Sequence, residues 1–337
     1  MTGLRSGPLP RMAGDLTFMR STRGTLEDLS SDSLAVVGLP MEQNRGRDVG
    51  YRMTPQALRE TSVYFGWHAN PQFSHPVDVD VRKQISTSSI HERLIDVGDV
   101  PVEGLGYEAA CVAVEKTIAL IRDRGAASIV LSGDARVVKP VVQAQSKNET
   151  LAFVQLGGTL PSDLFCAGAS EQSCVADLVS TSALKPSRIA MIAPARMPSL
   201  EMSQKLREQG GHLISTKQAM LLSADEMESV FSSISKGTDS VIVHLDLSAI
   251  ASPLHGMSPI RRFDGVSISK LQALLTAVGQ HPVSTLIVTG MNPTLNGMSI
   301  VKTGQRLLVT ALLGYIYGRL GILTSLEQED GESAVEQ

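Results

Sequence analysis

The strongest constraint on the fold is a regular alternation of short apolar runs and longer amphipathic segments. The apolar runs have the length of strands and predict them over residues 34–38, 94–98, 128–132, 151–156, 188–192, 240–245 and 285–288. Apolar residues at helical spacing predict helices over residues 107–124, 137–145, 200–209, 223–234, 267–278 and 301–317. Strands that alternate with helices form a parallel sheet covered on both faces, so we predict an α/β protein.

The composition supports one globular domain without a linker. Hydrophobic residues make up 42% of the 337 residues and charged residues 19%, which is typical of a chain with a substantial core. We predict an N-terminal arm over residues 1–30, a single domain over residues 31–325 and a flexible tail over residues 326–337. The arginine-rich start of the chain leaves a transit peptide as the alternative to a folded arm.

Charge and hydropathy argue against two classes of partner. The formal net charge is -4 and no long basic stretch is present, so we expect no binding to nucleic acid. The most apolar stretch, residues 307–318, is shorter than the roughly 20 residues of a membrane span and predicts a buried helix. Cys111, Cys166 and Cys174 form no CxxC pair. Without a secretory signal they favour free thiols in the cytoplasm, although a Cys166–Cys174 disulfide is an alternative.

Five segments, in order along the chain, resemble motifs of the ureohydrolases, the family of arginases and agmatinases. The segments are residues 11–20, residues 36–40 with 50–59, and residues 95–99, 132–134 and 291–295. The similarity is greatest to agmatinases and extends over nearly the whole chain. It implies a three-layer arginase-like fold, in which a central parallel sheet is flanked by helices.

The resemblance also implies a chemistry that depends on two metal ions. In this family a hydroxide that bridges two manganese or nickel ions attacks a guanidinium carbon. Two close divalent ions lower the pKa of the bridging water and stabilise the charge that develops in the transition state. The family supplies carboxylate and imidazole ligands from three motifs that follow strands, namely Gly-Gly-Asp-His, Asp-Ala-His-x-Asp and Asp-x-Asp-x-x-Asp-Pro.

This sequence lacks nearly all of those ligands. The positions that match the family's six metal ligands hold Ala135, Gly157, Thr159, Pro161, Asp246 and Ser248. Only Asp246 keeps a side chain that is competent to bind a metal. The acid that pairs with the guanidinium group in the family corresponds to Gly290. The resemblance therefore implies that this chain has no catalytic residue, no bound metal and no activity of its own.

A remnant metal site is one alternative to this interpretation. His244 and Asp246 alternate with Leu245 in a predicted strand, so their side chains lie on the same side. Together with His255 they could hold a single metal ion. A hydrogen-bonded pair that remains at the strand end explains His244 and Asp246 without any metal.

Cysteines and further histidines offer weaker alternatives. A nucleophilic Cys166 or Cys174 would need a nearby positive charge to lower its pKa, but the charged neighbours in the sequence are acidic. His68 and His75 lie in a proline-containing segment. That segment is expected to be a loop at an oligomer contact or at a pocket rim, with the histidines on the surface.

The scaffold motifs resemble those of the family, whereas most of the ligand residues are missing. Three hypotheses for function follow. The first is a non-catalytic subunit of a heteromeric cytoplasmic ureohydrolase based on trimers or hexamers. It resembles the two-component bacterial ureohydrolases in which a nickel-binding subunit joins a metal-less relative to cleave metformin. The second is a homo-oligomeric regulatory pseudoenzyme, and the third is an enzyme with new chemistry in the old pocket. Under the first hypothesis, a catalytic paralogue supplies the nickel or manganese.

Overall fold

The structure is a computed structural model that describes most of the chain. It describes residues 15–42, 50–65, 77–78, 83–85, 90, 92–158, 174–195, 200–251, 256, 258, 263–295, 298–320 and 323–325. Two sheets are present among these residues, one of nine strands and one of three. The larger sheet forms the centre of the molecule and positions the candidate site.

The larger sheet is parallel throughout its described pairings. The strands of the chain are β1 (Thr22–Arg23), β2 (Leu34–Gly38), β3 (Val77–Asp78), β4 (Lys83–Ile85), β5 (Leu94–Asp99), β6 (Ala127–Leu131), β7 (Leu151–Leu156), β8 (Ile189–Ile192), β9 (His212–Ile214), β10 (Ser240–Asp246), β11 (Val283–Thr289) and β12 (Leu323–Ser325). The central order is β1-β5-β2-β6-β11-β10-β7-β8-β9. Strands β12, β4 and β3 form the small antiparallel sheet. The predicted parallel sheet is confirmed.

Helices cover the central sheet on both faces. They are α1 (Thr54–Ser62), α2 (Tyr107–Asp123), α3 (Val138–Ser146), α4 (Cys174–Ser180), α5 (Leu200–Glu208), α6 (Thr216–Leu221), α7 (Ala224–Ser235), α8 (Ile268–Gly279) and α9 (Met298–Leu320). One hydrophobic core lies under α1, α7, α8 and α9, and a second lies under α2, α3, α4 and α5. Among the described helices, none has the length and apolar character required to cross a membrane. The predicted three-layer arrangement is confirmed.

The alternation of side chains in β10 shows why the sheet is buried on both faces. Val241, Val243 and Leu245 contribute to one hydrophobic core, and Ile242 contributes to the other. All seven residues of the strand are buried. Removing a branched aliphatic side chain from water stabilises the fold by roughly 1.5–3 kcal/mol. The continuous apolar run is therefore used on both sides, as the sequence predicted.

Helix starts follow from local capping. Ser223 precedes α7, and its hydroxyl accepts a hydrogen bond from the backbone N–H of Glu226 at 3.2 Å. The Glu226 carboxylate in turn accepts one from the backbone N–H of Ser223 at 2.7 Å. This reciprocal pair satisfies two backbone donors that have no partner within the helix. Ser215 and Gln218 form the same arrangement at the start of α6.

An ion pair of Arg59 with β5 helps to join α1 and the segment before β1 to that strand. The buried Arg59 guanidinium donates to the Asp96 carboxylate at 2.8 and 2.9 Å and to Asp99 at 2.5 Å. Asp96 is fully buried and also accepts from the backbone N–H groups of Phe18 at 2.7 Å and Gly98 at 2.9 Å. Phe18 itself lies in the core. One carboxylate therefore holds α1, β5 and the segment before β1 together.

We expect Asp96→Asn to destabilise the fold strongly. The amide removes the negative charge from a buried ion pair and turns a donor toward the Arg59 guanidinium. Breaking a buried pair costs about 3–5 kcal/mol in the free energy of unfolding, which urea denaturation measures. Asp99→Asn is the matched control, because the Asp99 side chain is 41% exposed and should lose about 1 kcal/mol or less. Equal losses in the two variants would contradict this account.

Candidate functional site

Most of the positions that the sequence motifs predict to match the family's ligands lie at one edge of the sheet. Those within the described residues are Ala135 after β6, Gly157 after β7, Asp246 at the end of β10, Ser248 shortly after it and Gly290 after β11. These four strands are neighbours, in the order β6-β11-β10-β7. Thr159 and Pro161 lie outside the described residues. The carboxyl edge of these strands is therefore the candidate site.

The Asp246 carboxylate is buried and is held by neutral donors. Its Oδ1 accepts from the backbone N–H of Ser248 at 2.9 Å and from the Ser248 hydroxyl at 2.6 Å. Its Oδ2 lies 3.4 Å from the Thr289 hydroxyl. The residue is only 5% exposed. Hydrogen bonds of this kind satisfy a carboxylate that has left water.

The Asp246 side chain occupies the space that a side chain at position 290 would need. Gly290 has a φ of 76°, which L-residues with a side chain rarely adopt. A Cβ added there would lie 2.7 Å from Asp246 Oδ1 and 2.9 Å from its Oδ2. Position 290, which the sequence motifs predict to match the family's guanidinium-pairing acid, therefore has its side-chain space filled by the carboxylate of Asp246.

Two consecutive glycines close the neighbouring strand end. Gly157 and Gly158 have φ values of 76° and 69°. A Cβ on Gly157 would lie 2.5 Å from the backbone nitrogen of Ala249 and 2.7 Å from the carbonyl oxygen of Asp246. The backbone N–H of Gly158 donates to the Ser248 hydroxyl at 2.9 Å. The chain after β7 thus packs directly against the chain after β10.

His244 is buried beside Asp246 but does not bond to it. Its Nε2 lies 2.7 Å from the Thr289 hydroxyl, whereas Nδ1 has no hydrogen-bond partner among the residues that the structure describes. The ring packs near Phe153. Burial lowers the pKa of His244 to about 4, and the negative charge of Asp246 opposes that shift. The imidazole is therefore neutral at physiological pH.

The segment that contains Ala135 has become a capped helical turn. Asp134 precedes a short 3-10 helix, and its Oδ1 accepts from the backbone N–H of Arg136 at 3.0 Å. The Arg136 guanidinium also pairs with this carboxylate, with Nε 2.9 Å from Oδ1. The Asp134 carboxylate therefore caps the local helical turn and pairs with Arg136. The Ala135 side chain has no atom that could bind a metal ion.

The donors at these strand ends do not fit a pair of divalent metal ions. Metal ions of this kind need several oxygen or nitrogen donors that converge on one point. Asp246 faces the donors of Ser248 and Thr289, and the Nε2 of His244 is also engaged with Thr289. No group of three or more His, Cys, Asp or Glu side chains that could hold a metal occurs in the described part of the chain.

A comparison with protein families identifies the fold's relatives. The model of the arginase family matches residues 32–314, which is most of the chain. This protein belongs to the arginase family. The resemblance seen in the sequence motifs is thereby confirmed at the level of the family.

Solved structures of the family superpose on most of this chain at low sequence identity. Proclavaminate amidino hydrolase from Streptomyces clavuligerus gives a TM-score of 0.71 at 18% identity and covers 92% of this chain and 99% of its own. A hypothetical agmatinase from Burkholderia thailandensis gives 0.72 at 17% identity, with 93% of each chain covered. Trypanosoma cruzi formiminoglutamase with Mn2+ gives 0.68 at 16% identity, with coverages of 88% and 98%. The arginase-like fold is confirmed.

The structure describes only some of the histidines and cysteines that the sequence singled out. His68, His75, Cys166 and His255 lie outside the described residues. The single-metal alternative therefore rests on His244 and Asp246, which both contact Thr289. Cys174 begins α4, and nothing further is described of its side chain. The remaining cysteine, Cys111, is a buried free thiol.

Sequence reasoning missed two side chains that complete the closed site. Thr289 lies opposite Asp246 in the pairing of β10 with β11, and Gln155 lies opposite His244 in the pairing of β10 with β7. Gln155 donates to the carbonyl oxygen of Gly157 at 3.1 Å. A polar residue at the end of an otherwise apolar strand is the signal that could have identified both. This signal identifies the two residues only when the order of the strands in the sheet is known.

We expect Gly290→Ala to cost more stability than Gly104→Ala. Both glycines have φ near 75°, so each variant loses about 1–2 kcal/mol from backbone strain. A Cβ at Gly104 meets nothing within 4 Å, whereas one at Gly290 meets the Asp246 carboxylate. Overpacking should add about 1–3 kcal/mol at Gly290. Urea denaturation gives both values, and Asp246→Ala should restore part of the Gly290→Ala loss. Equal losses at the two glycines would show that the site is open.

We expect His244 to make the fold less stable in mild acid. Its pKa is about 4 in the folded protein and about 6.5 in the unfolded chain. The unfolded chain therefore binds a proton that the folded one does not, and stability falls as the pH drops from about 6.5 toward 4. The loss should reach about 2 kcal/mol at pH 5.

The measurement compares urea denaturation of the wild type and His244→Asn at pH 7 and pH 5. In His244→Asn, the difference between the free energies of unfolding at pH 7 and pH 5 should be much smaller than in the wild type. His212→Asn is the control. Burial also lowers the pKa of the half-buried His212, but its ring bonds to Ser233 near the surface, so this variant should change the pH dependence less than His244→Asn does. An unchanged pH dependence in His244→Asn would contradict the assignment.

Proposed function

We propose that this chain is a non-catalytic subunit of a heteromeric cytoplasmic ureohydrolase. A paralogous subunit of the same family would hold nickel or manganese and hydrolyse a C–N bond of a guanidine or biguanide, such as metformin. The observation that carries the proposal is the position of the Asp246 carboxylate, which fills the side-chain space at Gly290. The model of the arginase family nevertheless matches residues 32–314.

The closed site explains why a catalytic role for this chain alone is disfavoured. A guanidinium substrate needs a facing carboxylate and an electrophile or activated water beside its carbon. Asp246 is already satisfied by Ser248 and Thr289, and Gly157 and Gly158 pack against the segment after β10. A substrate would have to displace these contacts without gaining a metal ion.

The retained scaffold supports a role in an assembly. Subunits of a symmetric oligomer reuse the same surfaces, so a related chain with the same fold can take the place of a catalytic subunit. The agmatinase similarity of the sequence includes the segment around Phe18 and Met19, both of which are fully buried against the rest of the fold. A trimer- or hexamer-based hetero-oligomer is the arrangement that we propose.

The test is expression of the chain with and without an intact ureohydrolase from the same source. We expect a stable mixed oligomer by native mass measurement, with metal only in proportion to the catalytic subunit. Obligate interfaces often bury more than about 2,000 Å2, so the chain alone should be poorly soluble or polydisperse. Asp246→Asn in this chain should leave the metal content and the hydrolytic activity of the complex unchanged.

The competing hypothesis is a homo-oligomeric regulatory pseudoenzyme of the same family. It predicts a homogeneous oligomer of this chain alone that never associates with a catalytic relative. That result would replace the heteromer proposal. Loss of metal from the complex on substitution of Asp246 would contradict both hypotheses, because it would place a metal ligand in this chain.

A further inference from the structure

Helices α6, α7 and α8 each begin at a serine whose hydroxyl accepts a hydrogen bond from a backbone N–H inside the helix. The backbone N–H of such a serine has no partner within the helical ladder and needs another acceptor. At α6 and α7 the third helical residue supplies it. The Gln218 amide oxygen accepts from the Ser215 N–H at 2.9 Å, and the Glu226 carboxylate accepts from the Ser223 N–H at 2.7 Å.

Helix α8 cannot use this arrangement, because its third residue is Lys270. A lysine ammonium group has donors but no acceptor. The backbone N–H of Ser267 donates instead to the sulfur of Met220 in α6, at 3.3 Å. The Ser267 hydroxyl still accepts from the backbone N–H of Lys270 at 3.2 Å. A thioether from a different helix therefore takes the place of the acid or amide in the cap of α8.

Two further contacts hold the start of α8. The Lys270 ammonium group donates to the carbonyl oxygen of Leu222, at the end of α6. The backbone N–H of Val266 donates to the carbonyl oxygen of Ala249 at 2.8 Å, in the turn after β10. Of these three contacts, only the one to Met220 uses a sulfur atom. A change in the chemistry of that sulfur would therefore alter one contact and leave the other two.

The Met220 side chain is accessible from solvent. The residue is 40% exposed, as is Met53 before α1. The other methionines whose burial the structure describes are buried, namely Met19, Met41, Met191, Met227 and Met291. An oxidant in solution therefore reaches the Met220 sulfur more easily than those of the buried methionines. Met53 is equally exposed, but its sulfur accepts no hydrogen bond from the part of the chain that the structure describes.

We propose that Met220 is a site of oxidation by hydroperoxides and that its oxidation opens the cap of α8. The sulfur attacks one peroxide oxygen, the O–O bond breaks, and that oxygen joins the sulfur as a sulfoxide. The other oxygen leaves as water, or as an alcohol where the oxidant is an organic hydroperoxide. The sulfur loses two electrons and the peroxide gains them, so no further reactant is needed.

The sulfoxide is a poorer partner for the Ser267 N–H. Oxidation converts a sulfur lone pair into a bond to oxygen and makes the sulfur electron-poor, and the added oxygen has no room between the sulfur and a nitrogen 3.3 Å away. Ser267 is itself exposed, so its N–H can turn to water. The contact of Lys270 with Leu222 contains no sulfur and persists. The expected change is a local loosening at the start of α8, without unfolding of the helix.

Treatment of the full chain with hydrogen peroxide tests the proposal. Peptide mass measurement should show one added oxygen at Met220 and at Met53. Amide hydrogen exchange resolved to single residues then reports on the cap. We expect the Ser267 N–H to exchange at least about threefold faster after oxidation. The Ser223 N–H, which a carboxylate holds, should exchange at its original rate. Oxidation of Met53 without Met220, an unchanged rate at Ser267, or an equal increase at Ser223 would each overturn the proposal.

Two leucine variants separate the cap from other effects of peroxide. Leucine is similar in volume to methionine but has no acceptor, so Met220→Leu should exchange rapidly at Ser267 before treatment and show no further change after it. Met53→Leu is the control matched in exposure and should keep both the slow exchange and the response to peroxide. Exchange in Met220→Leu as slow as in the wild type would show that the sulfur does not cap α8. The measurement requires neither the catalytic paralogue nor a metal, so its result is independent of the proposed heteromer.

Discussion

A carboxylate that leaves water must gain donors, and this constraint organises the molecule at two places. At the end of β5, Asp96 accepts from the Arg59 guanidinium and from two backbone N–H groups. The donors come from α1, from β5 and from the segment before β1, so one side chain fixes their relative positions. A buried ion pair is weak support for stability unless its remaining lone pairs are also satisfied. Here they are.

The same constraint accounts for the closed candidate site. Asp246 has no cation beside it in the described residues, yet serine and threonine hydroxyls and a backbone N–H meet its oxygens. A cluster of several carboxylates at this point would repel itself without metal ions. One carboxylate surrounded by Gly, Ser and Thr avoids that repulsion. The residue types around Asp246 are therefore those that a single buried acid requires.

The order of long elements could be predicted from the sequence, because apolar periodicity sets both their type and their burial. The runs at β2 and β7 were predicted with the bounds that the structure has. The edge strands β1 and β9 were not predicted, since two or three residues are too few to show a period. Their place in the sheet depends on pairing with β5 and β8.

The sequence motifs predicted that the candidate residues lie at strand ends, but not how their side chains are arranged there. Motif order placed Ala135, Gly157, Asp246 and Gly290 at strand ends, and strand ends of a parallel sheet meet at one edge. The direction of the Asp246 side chain depends on Thr289 in the adjacent strand and on the turn to Ser248. Only the register of β10 with β11 reveals that the carboxylate reaches the space beside Gly290.

The residue types at the candidate ligand positions are compatible with the family fold because the positions and the bulk of the core concern different parts of the strands. The hydrophobic cores lie along the bodies of the strands, where Val243, Leu286 and their neighbours are fully buried. The candidate ligand positions lie at the carboxyl ends of those strands and in the segments that follow them. Crevices at the carboxyl edge follow from strand order, not from the metals. Whether a crevice stays open then depends on the side chains beside it. The Asp246 carboxylate fills the space beside Gly290. Arg59 holds Asp99 at the wall of the cavity near the end of β5.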